Sequence, residues 1–165
     1  GCFMKIRTDF VTNSSSSSFG IIHIKSKALG EFLEKYRNAD IPWTTDFIMD
    51  NDMIHIEDMD DIFVPRNPTC VEEVLFALLD MLAGVNLEDV ESPEFPVDYD
   101  YSEEQVKMLL EANKRVKELT DSIKTVDWHT GIAEWGMDEE EEAESGSDAI
   151  FRYDREKKIS EYEMF

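Results

Sequence analysis

The chain has 165 residues, 42% of them apolar, with 38 acidic against 16 basic side chains and a net charge of −22. That length suits one domain with a real core. The negative field repels phosphate backbones and anionic lipid surfaces, so direct nucleic-acid binding and membrane binding are not expected, and the partner to expect is another protein with a basic surface, or a metal cation.

The charge is uneven. Residues 1–87 carry 14 acidic and 7 basic side chains, a net of −7, and residues 88–165 carry 24 and 9, a net of −15. The longest apolar run, around VLFALLDMLAGV (74–85), is interrupted by Asp80 and falls short of the roughly 20 apolar residues a membrane span needs. Lys5 and Arg7 are followed by Asp9 rather than an apolar region, so no secretory signal is expected. Two cysteines, Cys2 and Cys70, make no disulfide framework and fit a reducing cytoplasm.

In chain order, Gly1-Cys2-Phe3 precede Met4 and are taken as a cloning remnant or an upstream extension. Residues 4–18 form an N-terminal segment with a serine tract, opened by the extended-looking MKIRTDFVT, and 19–165 form a single domain. FGIIHIK (19–25) reads as a strand buried on both faces, with His23 as a core residue. Ser26 caps a helix over 27–37 whose Leu29, Phe32, Leu33 and Tyr36 share one face. DFIM and MIHIE pair as a hairpin about Asp50-Asn51-Asp52. Thr69 and Glu72 make the S/T-x-x-E pattern of a capping box, and Gly84 ends the helix they open. Its apolar residues, from Val71 to Leu82, make it the central element of the core.

Residues 85–101 have two prolines and no periodicity and read as a loop. Ser102 and Gln105 cap a second, amphipathic helix that runs to about Lys124. TVDWHTGIAEWG (125–136) reads as a hairpin turning at His129-Thr130-Gly131. A flexible acidic loop follows near 138–148, and a last hairpin covers AIFRYDR and KKISEYEMF. The fold class is α+β, a largely antiparallel sheet with about three helices packed on one face.

The serines Ser14, Ser15, Ser16, Ser17 and Ser18 are candidates for modification in an exposed connector. A P-loop needs flanking glycines and a lysine that this tract lacks. MKIRTDFVTNSSSSSF, residues 4–19, resembles the opening of uncharacterised proteins from Gram-positive anaerobes and their phages or mobile elements. The resemblance implies bacterial or phage origin and a shared N-terminal element, and it implies nothing about residues 20–165.

Asp50, Asp52, His55 and Glu57 are the candidate metal ligands for a divalent cation, although the EF-hand spacing is not met: Ile54 stands at its third ligand position and His55 at its glycine. On a strand, His55 and Glu57 share one face. His129 with Asp127 or Glu134 would make an acid–base pair, but there is no G-x-S-x-G element to supply a nucleophile, and Cys70 at a helix start is silenced by burial. No catalytic residue or bound cofactor is therefore assigned.

Tyr99, Tyr101, Trp128 and Trp135 are aromatic candidates for anchoring a partner, with Glu139, Glu140, Glu141 and Glu142 beside them in charge. The function to expect is an acidic protein-binding domain, in its concrete form an inhibitor that mimics nucleic acid. The alternatives are a small metal-dependent enzyme or cation-binding protein, and an accessory protein whose serine tract is modified or recognised.

Overall fold

Period-two burial shapes the sheet. In the computed structural model, which describes residues 16–60, 67–134 and 144–165, Ile22 and Ile24 are fully buried while Ile21, between glycine and isoleucine, is 43% exposed. The strand is therefore covered on one face, not two, and His23 is half-buried on the open face instead of lying in the core. The same alternation buries Ile54 and Ile56, Val126, Trp128 and Thr130, and Ala149 and Phe151.

The strands are β1 (Ser16–Lys25), β2 (Ile48–Asp50), β3 (Met53–Asp60), β4 (Thr125–Glu134), β5 (Glu144–Asp154) and β6 (Ile159–Met164). They form one antiparallel sheet in the order β2-β3-β1-β4-β5-β6. Register lines up the inward side chains in rows, one of them Ile56, Ile22, Trp128, Phe151 and Tyr162. β3 and β4 flank β1 and are joined by the long stretch that carries most of the helices.

The helices are α1 (Lys27–Tyr36), α2 (Val74–Ala83), α3 (Glu103–Lys114) and α4 (Val116–Asp121). They share one apolar cluster with the inward side chains of the sheet, so the fold is α+β with its helices on one face. Ser26 caps α1 by accepting from the Leu29 N–H at 3.1 Å, and Leu29, Phe32, Leu33 and Tyr36 are buried as their spacing predicts. At the β2–β3 turn, Asn51 takes the left-handed conformation (φ 57°), which asparagine tolerates and glycine would otherwise supply.

Three local readings change. The capping box read at Thr69 and Glu72 does not form: the Glu73 carboxylate, not that of Glu72, accepts from Thr69 N–H at 2.7 Å and from Thr69 Oγ1 at 2.8 Å. A 3-10 turn at Val71–Glu73 opens the helix, with Cys70 at its N-cap and no side-chain cap. The second helix does begin with a capping box from Ser102 and Gln105, but it breaks at Arg115 into α3 and α4, and Leu110 is 46% exposed.

The third change is that 125–134 is one continuous strand, with His129-Thr130-Gly131 in its middle. Gly131 is there for space rather than for a turn. A Cβ on it would meet the Asp148 carboxylate and the Phe19 ring, the latter at 2.8 Å. Of the stretch read as flexible at 138–148, residues 144–148 belong to β5, and 138–143 lie outside the described residues.

Trp128 is the largest fully buried side chain. Trp128→Ala is expected to lower the unfolding free energy by about 3–5 kcal/mol, the usual cost of an emptied aromatic site, as read by urea denaturation. Gly84 closes α2 at φ 64° with open space around it, so Gly84→Ala is expected to cost about 1 kcal/mol from backbone strain alone, and Gly84→Asn less.

Candidate functional site

The stretch read as a loop is an ordered acidic lobe on the helical layer. Asn86 accepts from the Glu88 N–H at 3.0 Å and opens a 3-10 helix at Leu87–Glu91. Leu87 is buried, and Val90, Phe95 and Tyr101 pack half-buried against the core. The Tyr101 hydroxyl donates to Asp89 at 2.6 Å and accepts from the Asn86 N–H at 3.2 Å, tying the two ends of the lobe together. Tyr99 stacks on Tyr101 with centroids 5.7 Å apart and planes 7° from parallel. The Phe95–Pro96 peptide is cis, and backbone bonds from Phe95 N–H to Ser92 and from Asp98 N–H to Glu94 fold the turns between.

Residues 86–106 contain eight carboxylates and no basic side chain. Glu88, Glu91, Glu94, Asp98, Asp100 and Glu103 are exposed. Among the described residues Glu104 is the one member with an ion pair, to Lys107 at 3.4 Å. Glu103 and Glu104 also lie in the first turn of α3, where the helix dipole favours negative charge.

Three cations of the helical layer, Lys35, Arg37 and Arg115, are engaged elsewhere. Arg37 pairs with Glu34 at 2.8 Å and Asp46 at 3.0 Å, and Arg115 with Glu111 at 2.8 Å and Glu118 at 2.5 Å. Lys35 and the Tyr36 hydroxyl also meet Glu111, at 2.6 and 2.8 Å. Burial pushes the Glu111 carboxyl up, but the hydrogen bonds from Lys35, Tyr36 and Arg115 outweigh it and hold it below its ordinary value. Glu111 thus joins α1 to α3, and its three donors are not available to the lobe.

The open face of the sheet gathers the three histidines. His23 and His55 face each other across β1 and β3, and His129 approaches Asp148 of β5 at 3.3 Å with Phe19 edge-on to its ring. The acid beside His129 is therefore Asp148 and not Asp127, and the Glu134 side chain lies outside the described ones. A cleft of about 360 Å³ opens on the same face, where His23 and Met53 meet Asp127, Arg152 and Lys157.

The predicted metal set is not brought together. Asp50 ends β2, Asp52 sits in the turn, and His55 and Glu57 are two residues apart on β3. Among the described residues no group of three or more His, Cys, Asp or Glu is placed to hold an ion. Trp128 is 0% exposed and cannot anchor a partner, because its position in β4 points inward. Trp135 and Glu139, Glu140, Glu141 and Glu142 lie outside the described residues, as do Ser14 and Ser15. The backbone of Ser16, Ser17 and Ser18 belongs to β1, paired with Glu134, Ala133 and Ile132, and so is not a connector.

Cys70 is disulfide-bonded and supplies no thiolate. Among the described residues no helix is long and apolar enough to cross a membrane.

Sequence reasoning picked out Tyr99 and Tyr101 but missed that their segment is a built lobe. The readable signal was Asn86 two residues before Glu88, a capping residue ahead of acids.

Burial, and then the hydrogen bond to Asp89, push the Tyr101 phenol up to about 12, against about 10 in an unfolded chain. The folded state thus favours the neutral phenol. Its stabilising contribution is complete below pH ~10 and is lost as pH rises through ~12. Urea denaturation of the wild type is expected to show this alkaline loss, and Tyr101→Phe to flatten it. No protein-family model, curated protein or solved structure matches the chain.

Proposed function

We propose that this chain is a protein-binding domain of bacterial or phage origin that captures a basic surface with its acidic lobe, competing there with nucleic acid. One observation carries the reading: an ordered segment of eight carboxylates, 86–106, contains no base, and among the described residues only Glu104 is in an ion pair. Unpaired carboxylates on a fixed backbone steer a cationic partner and keep their spacing when it arrives. The stacked Tyr99 and Tyr101 rings add apolar area beside those charges, the combination that lets an acidic surface hold a partner as well as attract it. The alternatives as first read carry less: Asp50, Asp52, His55 and Glu57 do not form one ligand group, and Ser16–Ser18 of the serine tract lie within a paired strand.

The test compares two variants of equal net charge. One neutralises the lobe (Glu88→Gln, Glu91→Gln, Glu94→Gln, Asp98→Asn). The other neutralises four exposed acids elsewhere (Glu31→Gln, Asp121→Asn, Glu156→Gln, Glu161→Gln). Fluorescence anisotropy with a labelled lysine- and arginine-rich peptide is expected to show wild-type binding that weakens with salt and yields to duplex DNA, which competes for the peptide. The lobe variant should lose at least ~10-fold in affinity, about 1.4 kcal/mol, and the scattered variant much less. Equal losses in both would mean that net charge alone acts, and the lobe is then not a site.

A further inference from the structure

β1 and β3 carry the same tripeptide, Ile-His-Ile, at 22–24 and 54–56. Antiparallel pairing lays one on the other, with Ile22 opposite Ile56, His23 opposite His55 and Ile24 opposite Ile54. All four isoleucines are buried, at 0% or 1% exposure. A one-residue slip would bring them to the open face, so the register is strongly fixed. The two imidazoles are thereby held side by side on that face. Their ring centroids are 4.8 Å apart, with planes at 72°, and both side chains are half-buried, with access to solvent.

We propose that His23 and His55 form a two-imidazole site for a borderline divalent transition cation of the Zn²⁺, Ni²⁺ or Cu²⁺ class. Metal–nitrogen bonds of about 2.0–2.1 Å place two rings on one ion with centroids roughly 4.5–5.2 Å apart, for ligand angles from square to tetrahedral. The observed 4.8 Å falls inside that window. Imidazole nitrogen suits these ions, whereas Mg²⁺ and Ca²⁺ require oxygen.

The supports are rigid. β1 is paired on both sides, and β3 is held between β1 and β2, so little ordering entropy is lost on binding. Among the described residues no third His, Cys, Asp or Glu completes the set; the ion keeps water at its remaining positions and its coordination stays open. Asp127 follows His23 in the same row across the sheet, a carboxylate on the face the ion would approach. The site differs from the sequence-based expectation in one ligand: His55 is joined by His23 from the next strand and not by Glu57 from its own. It lies across the sheet from the helices that carry the acidic lobe and does not rest on the function proposed above.

The test is isothermal titration of the full chain with NiCl₂ and with ZnCl₂, using MgCl₂ as the oxygen-seeking control. The wild type is expected to bind one Ni²⁺ or Zn²⁺ in a tight class that Mg²⁺ does not enter. His23→Gln and His55→Gln should each weaken that class at least ~10-fold, since losing a ligand costs no less than losing a ligand's own hydrogen-bond partner. The double variant should abolish it, and His129→Gln should leave it unchanged. Binding that survives the double variant, or that falls equally with His129→Gln, overturns the site and assigns the ions to carboxylates elsewhere.

A second measurement stands whether or not the variants fold. In the proton NMR spectrum of the intact wild type, paramagnetic Ni²⁺ at substoichiometric amounts should broaden two of the three imidazole spin systems. Broadening all three alike, or none, refutes the proposal.

Discussion

One-sided burial of the sheet is the constraint on which the rest of the molecule depends. Ile22 and Ile24, Ile54 and Ile56, Val126 and Trp128, and Ala149 and Phe151 all point the same way, and every helix with a buried face joins the cluster they form. Because a strand alternates its side chains, choosing the inward face for these residues also chooses the outward one for His23, His55, His129, Ile21 and Arg152. The open face is the complement of the core and needs no separate account. What makes it unusual is its content: all three histidines of the chain stand on it, beside an isoleucine at 43% exposure.

The helical layer manages a different difficulty, excess negative charge. Self-repulsion destabilises a compact state, and the layer relieves it locally by drawing Arg37, Lys35 and Arg115 onto Glu34, Asp46, Glu111 and Glu118. Most of these pairs are solvent-accessible and individually worth little. Their larger effect is on where the potential remains uncompensated. With those cations committed around α1, α3 and α4, the 86–106 lobe is left negative, although its backbone is held by the buried Leu87 and by Tyr101 bonded to Asp89 and Asn86. Order and unbalanced charge in one segment is a combination that an unfolded acidic tail does not offer, since a tail must lose entropy to present a fixed spacing.

Much of the architecture was legible because its signals were local and redundant. Ser26 ahead of a 3.6-residue apolar period, the Ser102–Gln105 box, the apolar density of 74–83, and the closing hairpin each rest on adjacent residues. The errors arise where a residue type has two physical uses. Gly131 after His129-Thr130 looks like a turn, but it is a strand glycine over which Phe19 passes. Ile21, Ile22 and Ile24 look like a strand buried twice, and only the pairing partners reveal that Ile21 faces outward. Thr69 has glutamates at both three and four residues' distance, and the 3-10 start of α2 selects the second. The candidate site was half visible: Tyr99 and Tyr101 stood out as aromatics among acids, while the Ile-His-Ile repeat in two strands went unused, although two identical apolar brackets in neighbouring strands are a register signal.

The acidic field and the histidine pair act on each other at a distance. A net charge of −22 raises the concentration of small cations near the whole surface, and it does so without selecting among them. Selection requires ligands with a preference, and two imidazoles set 4.8 Å apart provide one that carboxylates do not. The field would thus supply cations to a face where nitrogen ligands choose which of them stays. Screening separates the two contributions. Salt shortens the reach of the field to about 10 Å at 0.1 M but leaves a metal–nitrogen bond of ~2 Å almost untouched. Long-range attraction would therefore fade with ionic strength while discrimination between Ni²⁺ and Mg²⁺ would persist, and the same argument would divide the steering of a basic partner proposed for the lobe from the apolar contact proposed for its tyrosines.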